Sequence, residues 1–393
     1  MSAGRDDRGG GRSRVTDRRT PAIFMRGGTS NAVIFHAHDL PPAGPQRDAL
    51  FCRVMGSPDP YGRQLDGLGG GISSLSKVMV LAPPSRPDVD FDYTFGQVEI
   101  AVGRVDYAAN CGNMTSAMGP FAVNEGLFKC QDGDVLLRLF NTNTRQVVHA
   151  AFEVAGGFAV EMGDLEIPGV AGTGSPIRLD FMARDDGAGP ASPLMSQALT
   201  DVIQDPVCGA VTVSIVDASN VVAFARASDL GLQATESIET IEGNPRLMAA
   251  LERLRRQAAV LAGMASTPEA AAEASPKIAL IGPPADFTAL DNRQYSAVDV
   301  DVSARVLSMG NVHRAIPLTA AMCTAAAAGI VGTSVHQATS ARSRDGADAL
   351  RIGTLSGVVK AAADVQGSGV HWTVPRTSTF RTARRLMSGW VHG

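Results

Sequence analysis

The stretch from Gly56 to Lys77 gathers groups able to hold an anion or move a proton, since its glycine run closes on Ser73, Ser74, Ser76 and the amine of Lys77. Five of the ten positions from Gly62 to Gly71 are glycine. That loss of chain entropy is accepted where backbone turns with positive φ or lies close to a ligand. A plain surface loop has a similar composition; the ordered polar ending favours a site. Two further segments invite a ligand. Asn110-Cys111-Gly112-Asn113-Met114 precedes an apolar helical pattern with Ala117, Met118 and Phe121. Ser308-Met309-Gly310-Asn311-Val312 precedes another with Ala315, Leu318 and Met322, and places His313 one turn inside that helix. Each reads as a Gly-Asn pair opening a helix, whose free amides and dipole attract carboxylates. Either the recurrence is chance, or two related domains aim helix ends at one cleft.

The motifs of other chemistries are missing. There is no G-x-x-x-x-G-K-[ST], G-x-G-x-x-G, H-E-x-x-H or G-x-S-x-G, so nucleotide, metal and serine-hydrolase readings lose their usual support. His36 and His38 would share one side if both lay on a strand, but two imidazoles make a poor metal site. Acid–base chemistry on an anionic small molecule is what these residues suit.

The elements that would position them are mostly strands. Short apolar runs at Ala22–Met25, Ala32–Phe35, Lys77–Leu81, Tyr93–Val102, Val135–Phe140 and Val147–Val154 are separated by turn residues. Helices are fewer. Asn244-Pro245 is a cap and first-turn proline ahead of the stripe Leu247, Leu251, Leu254, Ala258 and Leu261, which reads as core. Ala320–Gly332 reads as a buried Ala-rich helix. Thr173–Pro193 has the Gly, Pro and Asp content of an inter-domain connection, and Ser266–Pro276 that of a solvated one.

A chain of 393 residues exceeds one compact core, so two domains are expected. A net charge of −4 and pI near 6.0 leave no electrostatic footprint for nucleic acid. No apolar run reaches the ~18 residues of a membrane span. Five scattered cysteines without C-x-x-C argue against a disulfide framework and against zinc. The first 20 residues, with six arginines and three aspartates, read as a disordered extension without a secretory signal, and the cytoplasm as the default address.

Several segments occur together in one order: Met25-Arg26-Gly27-Gly28-Thr29-Ser30, Gly56–Gly62, Gln64-Leu65-Asp66-Gly67, Ser73–Lys77, Asn110–Asn113, Pro276-Lys277-Ile278, Ser308-Met309-Gly310 with His313, and Arg381-Thr382-Ala383-Arg384. Together they resemble the PrpF family of methylaconitate cis–trans isomerases and their methylitaconate, oxalomesaconate and aconitate relatives. The resemblance covers nearly everything after residue 21. It implies an α+β fold of two similar diaminopimelate-epimerase-like domains, residues 21–185 and 186–393, each a β-barrel-like sheet around a central helix, with the last segment packing back on the first domain.

The same resemblance puts the catalytic roles on Lys77 and Cys111, without a cofactor or metal. Shifting or rotating a C=C bond beside a carboxylate requires removal of a weakly acidic C–H proton, and the resulting dienolate needs fixed donors. Arg26, Gly28, Thr29, Ser30, Gln64, Ser73, Asn110, Gly112, Asn113, Ser308, Met309, Gly310 and His313 are the implied substrate contacts. The implied ligand is an unsaturated polycarboxylate such as aconitate or 2-methylaconitate. Neither nucleic acid nor a membrane is an expected partner; a homodimer and functional coupling to an aconitase-like dehydratase are compatible with the resemblance. Asn31 and Ala32 replace a frequent Lys-Gly, which bears on substrate choice. Two other readings stand beside this one: an amino-acid epimerase, which needs two opposed cysteines, and a non-catalytic accessory protein to an aconitase-like enzyme.

Overall fold

The opening strand Arg19–Gly27 turns back through Gly28-Thr29 into Ser30–His36, with Gly27 facing Ser30 across the turn. Gly28 sits at φ 49°, and a Cβ there would collide with Asn113. In the computed structural model the described residues are 19–108, 110–183, 192–273, 275–308, 310–344 and 349–392. The expected extension at residues 1–20 lies outside them up to residue 18; Arg19 and Thr20 already belong to the first strand.

Ser30–His36 runs parallel to Lys77–Ala82, with helix Pro45–Met55 in the crossover. Lys77–Ala82 pairs antiparallel with Phe91–Val98, Lys77 opposite Gln97. That strand turns into Val105-Asp106 and also runs parallel to Gly133–Asn141, the helix Gly112–Asn124 filling this second crossover. Gln146–Ala155 and Ile177–Met182 follow antiparallel.

The second half repeats the order. Gly209–Asp217 and Val221–Arg226 form the hairpin, and Val221–Arg226 runs parallel to Lys277–Gly282 across helix Pro245–Leu261. Lys277–Gly282 pairs with Val302–Ser308, which turns into Asn311-Val312 and runs parallel to Leu350–Thr354 across helix Leu318–Gly329. Gly357–Ser368 and His371–Arg381 complete it. The halves are joined by strand pairing as well as by chain: Ile177–Met182 pairs with His371–Arg381, and the final strand Ala383–His392 with Arg19–Gly27.

Each half wraps its strands around one helix. Helix Gly112–Asn124 buries every residue from Met114 to Val123 against Met79, Tyr93, Phe95, Leu137, Phe152 and Leu179. Helix Leu318–Gly329 buries Ala320 to Ala328 among Phe224, Ile281, Val302 and Ile352, its small side chains letting strands close in. Helices apolar on all sides belong inside such a shell. In the stripe after Asn244, which caps through Leu247 N–H at 3.1 Å, Leu247, Leu251, Leu254 and Ala258 pack onto the outer face of the second half instead. Leu261, expected with them in the core, is 43% exposed at the last residue of the helix. No helix among the described residues is long and apolar enough to cross a membrane.

Three expectations are corrected. The strand expected over Tyr93–Val102 ends at Val98, because residues 99–104 turn into Val105, Glu99 and Arg104 joined by a 3.0 Å backbone bond. Thr173–Pro193 is not wholly a connection: Ile177–Met182 is a strand bonded on both edges, and the boundary at 185/186 lies outside the described residues. Asn311 opens no helix. Asn311-Val312 closes a hairpin on Leu307 and Ser308, and the helix waits until Leu318 behind Pro317, a residue that disfavours helical geometry before it. His313 therefore precedes the helix.

Candidate functional site

Lys77 heads its strand and is 7% exposed. Its Nζ donates to Gln97 Oε1 at 2.5 Å and lies 5.3 Å from the centre of the Phe95 ring. Gln97 is held by its own nitrogen, which donates to the carbonyls of Ser76 at 2.8 Å and Ser73 at 3.1 Å, so its oxygen must face the amine. Burial lowers the pKa of Lys77 from its ordinary value, and nearby Cys111 works weakly the other way.

Cys111 caps helix Gly112–Asn124, with Sγ 3.9 Å from Ser30 Oγ, and Ser30 itself is buried. The entry turn is braced from below: Thr115 Oγ1 lies 3.1 Å from Cys111 O, 3.4 Å from Asn110 Oδ1 and 3.1 Å from the Tyr93 hydroxyl. Burial pushes Tyr93 up to about 12, keeping it a neutral hydrogen-bonding group. Asn113 donates to Thr29 Oγ1 at 3.1 Å and accepts from Arg381 Nε at 2.9 Å. The two central helices meet end to end: Gly112 lies so close to Leu318, in the first turn of the other helix, that a Cβ would overlap Leu318. Lys77, Cys111, Ser30, Thr29, Asn110, Gly112, Asn113 and Gly28 thus share one region at the junction of the halves.

Other expected contacts are placed differently. Arg26 donates through Nη1 to Gly28 O, Thr382 O and Thr382 Oγ1 at 2.9–3.0 Å, fastening the first hairpin to the last strand. Gln64, 1% exposed, donates to Ser76 Oγ at 2.7 Å and accepts from Gly71 N–H at 3.0 Å, so it closes the glycine loop on itself. The loop's glycines answer to that folding: a Cβ at Gly67 would overlap the backbone of Gly56. Ser73 has an exposed side chain and contributes its carbonyl to Gln97. Asn31 follows Ser30 on the opposite face of the strand, away from Cys111. Ser308 ends a strand opposite Asn311, Gly310 makes the turn at φ 77°, and Met309 lies outside the described residues. His313 has a buried Nε2 without a hydrogen-bond partner among the described residues; burial, and then Lys277, lower its pKa. His36, set aside as a metal ligand, has Nε2 3.3 Å from Glu125 Oε2.

Sequence reasoning missed three residues. Gln97 had no signal beyond its place on a strand. Lys277 heads its strand in the second half as Lys77 does in the first, and burial lowers its pKa too. Arg381, inside a quoted motif, lines a cavity between the halves with Thr29, Asn113, Leu318 and Lys360. Among the described residues no group of three His, Cys, Asp or Glu side chains could hold a metal ion.

Two repeated strand-and-helix halves, abutting at their helix N-termini, define an α+β fold of the diaminopimelate-epimerase-like kind, and the relatives of this chain define an isomerase. It is 36% identical over 386 residues to a 2-methyl-aconitate isomerase of Cupriavidus necator, covering 95% of this chain and 96% of the relative. It is 37% identical over 378 residues to a 3-methylitaconate isomerase of Eubacterium barkeri, covering 95% and 97%. The crystal structure of a methylitaconate-delta-isomerase superposes with a TM-score of 0.86 at 36% identity, covering 95% of each chain. Residues 17–393 match the family model described as PrpF protein, and the chain belongs to that family.

Proposed function

We propose that this enzyme isomerises the double bond of an unsaturated di- or tricarboxylic acid, aconitate or 2-methylaconitate being the best candidates, by proton transfer without a cofactor. The observation that carries the reading is a buried amine, oriented by Gln97, in the same region as a thiol at a helix N-terminus.

Burial favours the neutral amine, and only a neutral amine can accept a proton. Lys77 takes the proton from the sp³ carbon next to C=C; the C–H bond breaks, an N–H bond forms, and the electron pair spreads through C=C onto the carboxylate as a dienolate. The bond between the two original centres gains single-bond character and can rotate. The first-turn amides of Gly112, Asn113 and Met114 have no acceptor among the described residues, and such amides suit the developing oxyanion. Cys111 gives its proton to the carbon that receives it, and solvent exchange then restores both groups. An amino-acid epimerase is less well supported, since Pro317 caps the second central helix where Cys111 caps the first.

The test is proton NMR of the purified protein with aconitate, 2-methylaconitate, methylitaconate and oxalomesaconate. Conversion of at least one is expected; inertness toward all four contradicts the reading.

A further inference from the structure

The cavity between the halves holds about 230 Å³, smaller than a drug-sized pocket and suited to a small metabolite. Its charges are unbalanced. Glu166 is its one acid, and that carboxylate is already taken by Arg293 Nη1, 2.8 Å from each oxygen. Its two cations, Arg381 and Lys360, make no ion pair with any described residue. Arg381 spends Nε on Asn113 Oδ1 and Nη1 on Phe380 O at 2.8 Å and Thr379 Oγ1 at 3.3 Å, leaving Nη2 without a bond to the described protein. Burial brings its pKa down to about 10, which leaves it charged at neutral pH. A partly buried guanidinium without a counter-charge is completed most favourably by an anion. The floor beneath it is Asn113, in the first turn of the helix that Cys111 caps.

We propose that this cavity is the subsite for a substrate carboxylate remote from the reacting carbon, with Arg381 as its anchor and Lys360 as a second cation reached only by an acid with a further carboxylate. The proposal rests on the isomerase reading for the identity of the ligand and adds residues for its specificity. The planar fork of Arg381 suits bidentate capture of a carboxylate, while exposed Lys360 acts as a point charge.

The experiment measures binding of two acids that cannot be isomerised, propane-1,2,3-tricarboxylate and succinate, by calorimetry, together with turnover of the four unsaturated acids. Arg381→Gln should weaken both acids about 10- to 100-fold, the scale of a charge-assisted bond. Arg381→Lys should recover part of that loss. Lys360→Met, on an exposed strand position, should fold normally and weaken the tricarboxylate alone, by about two- to fivefold. Unchanged binding of both acids in folded Arg381→Gln overturns the proposal. Should Arg381→Gln fail to fold, Lys360→Met and Arg381→Lys decide it: wild-type affinities for both acids in both variants overturn it. Binding losses in a protein that turns over none of the four acids would sink the isomerase reading and support the subsite; intact turnover with unchanged affinities would do the reverse.

Discussion

The Nζ of Lys77 faces Oε1 of Gln97 at 2.5 Å across two antiparallel strands, and the carboxamide cannot flip because its nitrogen is tied to two loop carbonyls. The amine is thus held by a neutral acceptor, not by a carboxylate that would fix its charge. This pairing sets the protonation behaviour on which the proposed reaction depends.

Lys77→Ala should lower kcat by about 10²–10⁴-fold, the usual contribution of a positioned proton-transfer group. Lys77→Arg should do the same, since a guanidinium does not release its proton. Circular dichroism would establish that both variants fold. Near-normal turnover in folded Lys77→Ala would remove the lysine from the mechanism.

The pH dependence follows from the sign of the shift. Desolvation lowers the pKa of Lys77, so the neutral base fills as pH rises through a value below the ordinary 10.5. The profile of kcat/KM should rise along its acidic limb with an apparent pKa below that value. Gln97→Glu places a negative charge beside the amine, favours the ammonium form, and should move the limb to higher pH. A limb that stays in place means that another group controls it.

Cys111→Ser keeps the size of the side chain but has a far weaker acid in place of the thiol. Turnover should fall at least tenfold with the unfolding midpoint nearly unchanged. A silent substitution would make Cys111 a packing residue beside Ser30.

Gln64 is interpreted as loop architecture. Gln64→Ala strands the Gly71 amide and removes a buried bond to Ser76, and should cost about 1–3 kcal/mol, read as a lowered melting temperature. A substrate contact would instead raise KM at unchanged stability.

How much of this was legible in the sequence differed by element. The strands at Ala32–Phe35, Lys77–Leu81, Val135–Phe140 and Val147–Val154 were readable because apolar β-branched runs sit between turn residues. The stripe after Asn244 was readable because an amphipathic helix shows its period. The repeat of the two halves was sensed from the wrong residues: Cys111 corresponds to Pro317 as a helix cap, whereas Gly310 belongs to a hairpin turn. Local spelling cannot separate a glycine that opens a helix from one that reverses a strand. Arg26 and Gln64 were chosen for residue type, and their partners Thr382 and Ser76 emerge only from the tertiary fold. Gln97 carried no local signal, and Arg381 stood in a quoted motif without an assigned role, because the settings of both are made by strands distant in sequence.

The most direct test of proton transfer through Lys77 is isomerisation run to equilibrium in D₂O with proton NMR. The account predicts deuterium at the carbon next to the double bond in product or recovered substrate, in wild type and unaffected by exhaustive chelation, and none in Lys77→Ala. Complete conversion with that carbon fully protiated, or activity lost on chelation and restored by metal, would contradict it.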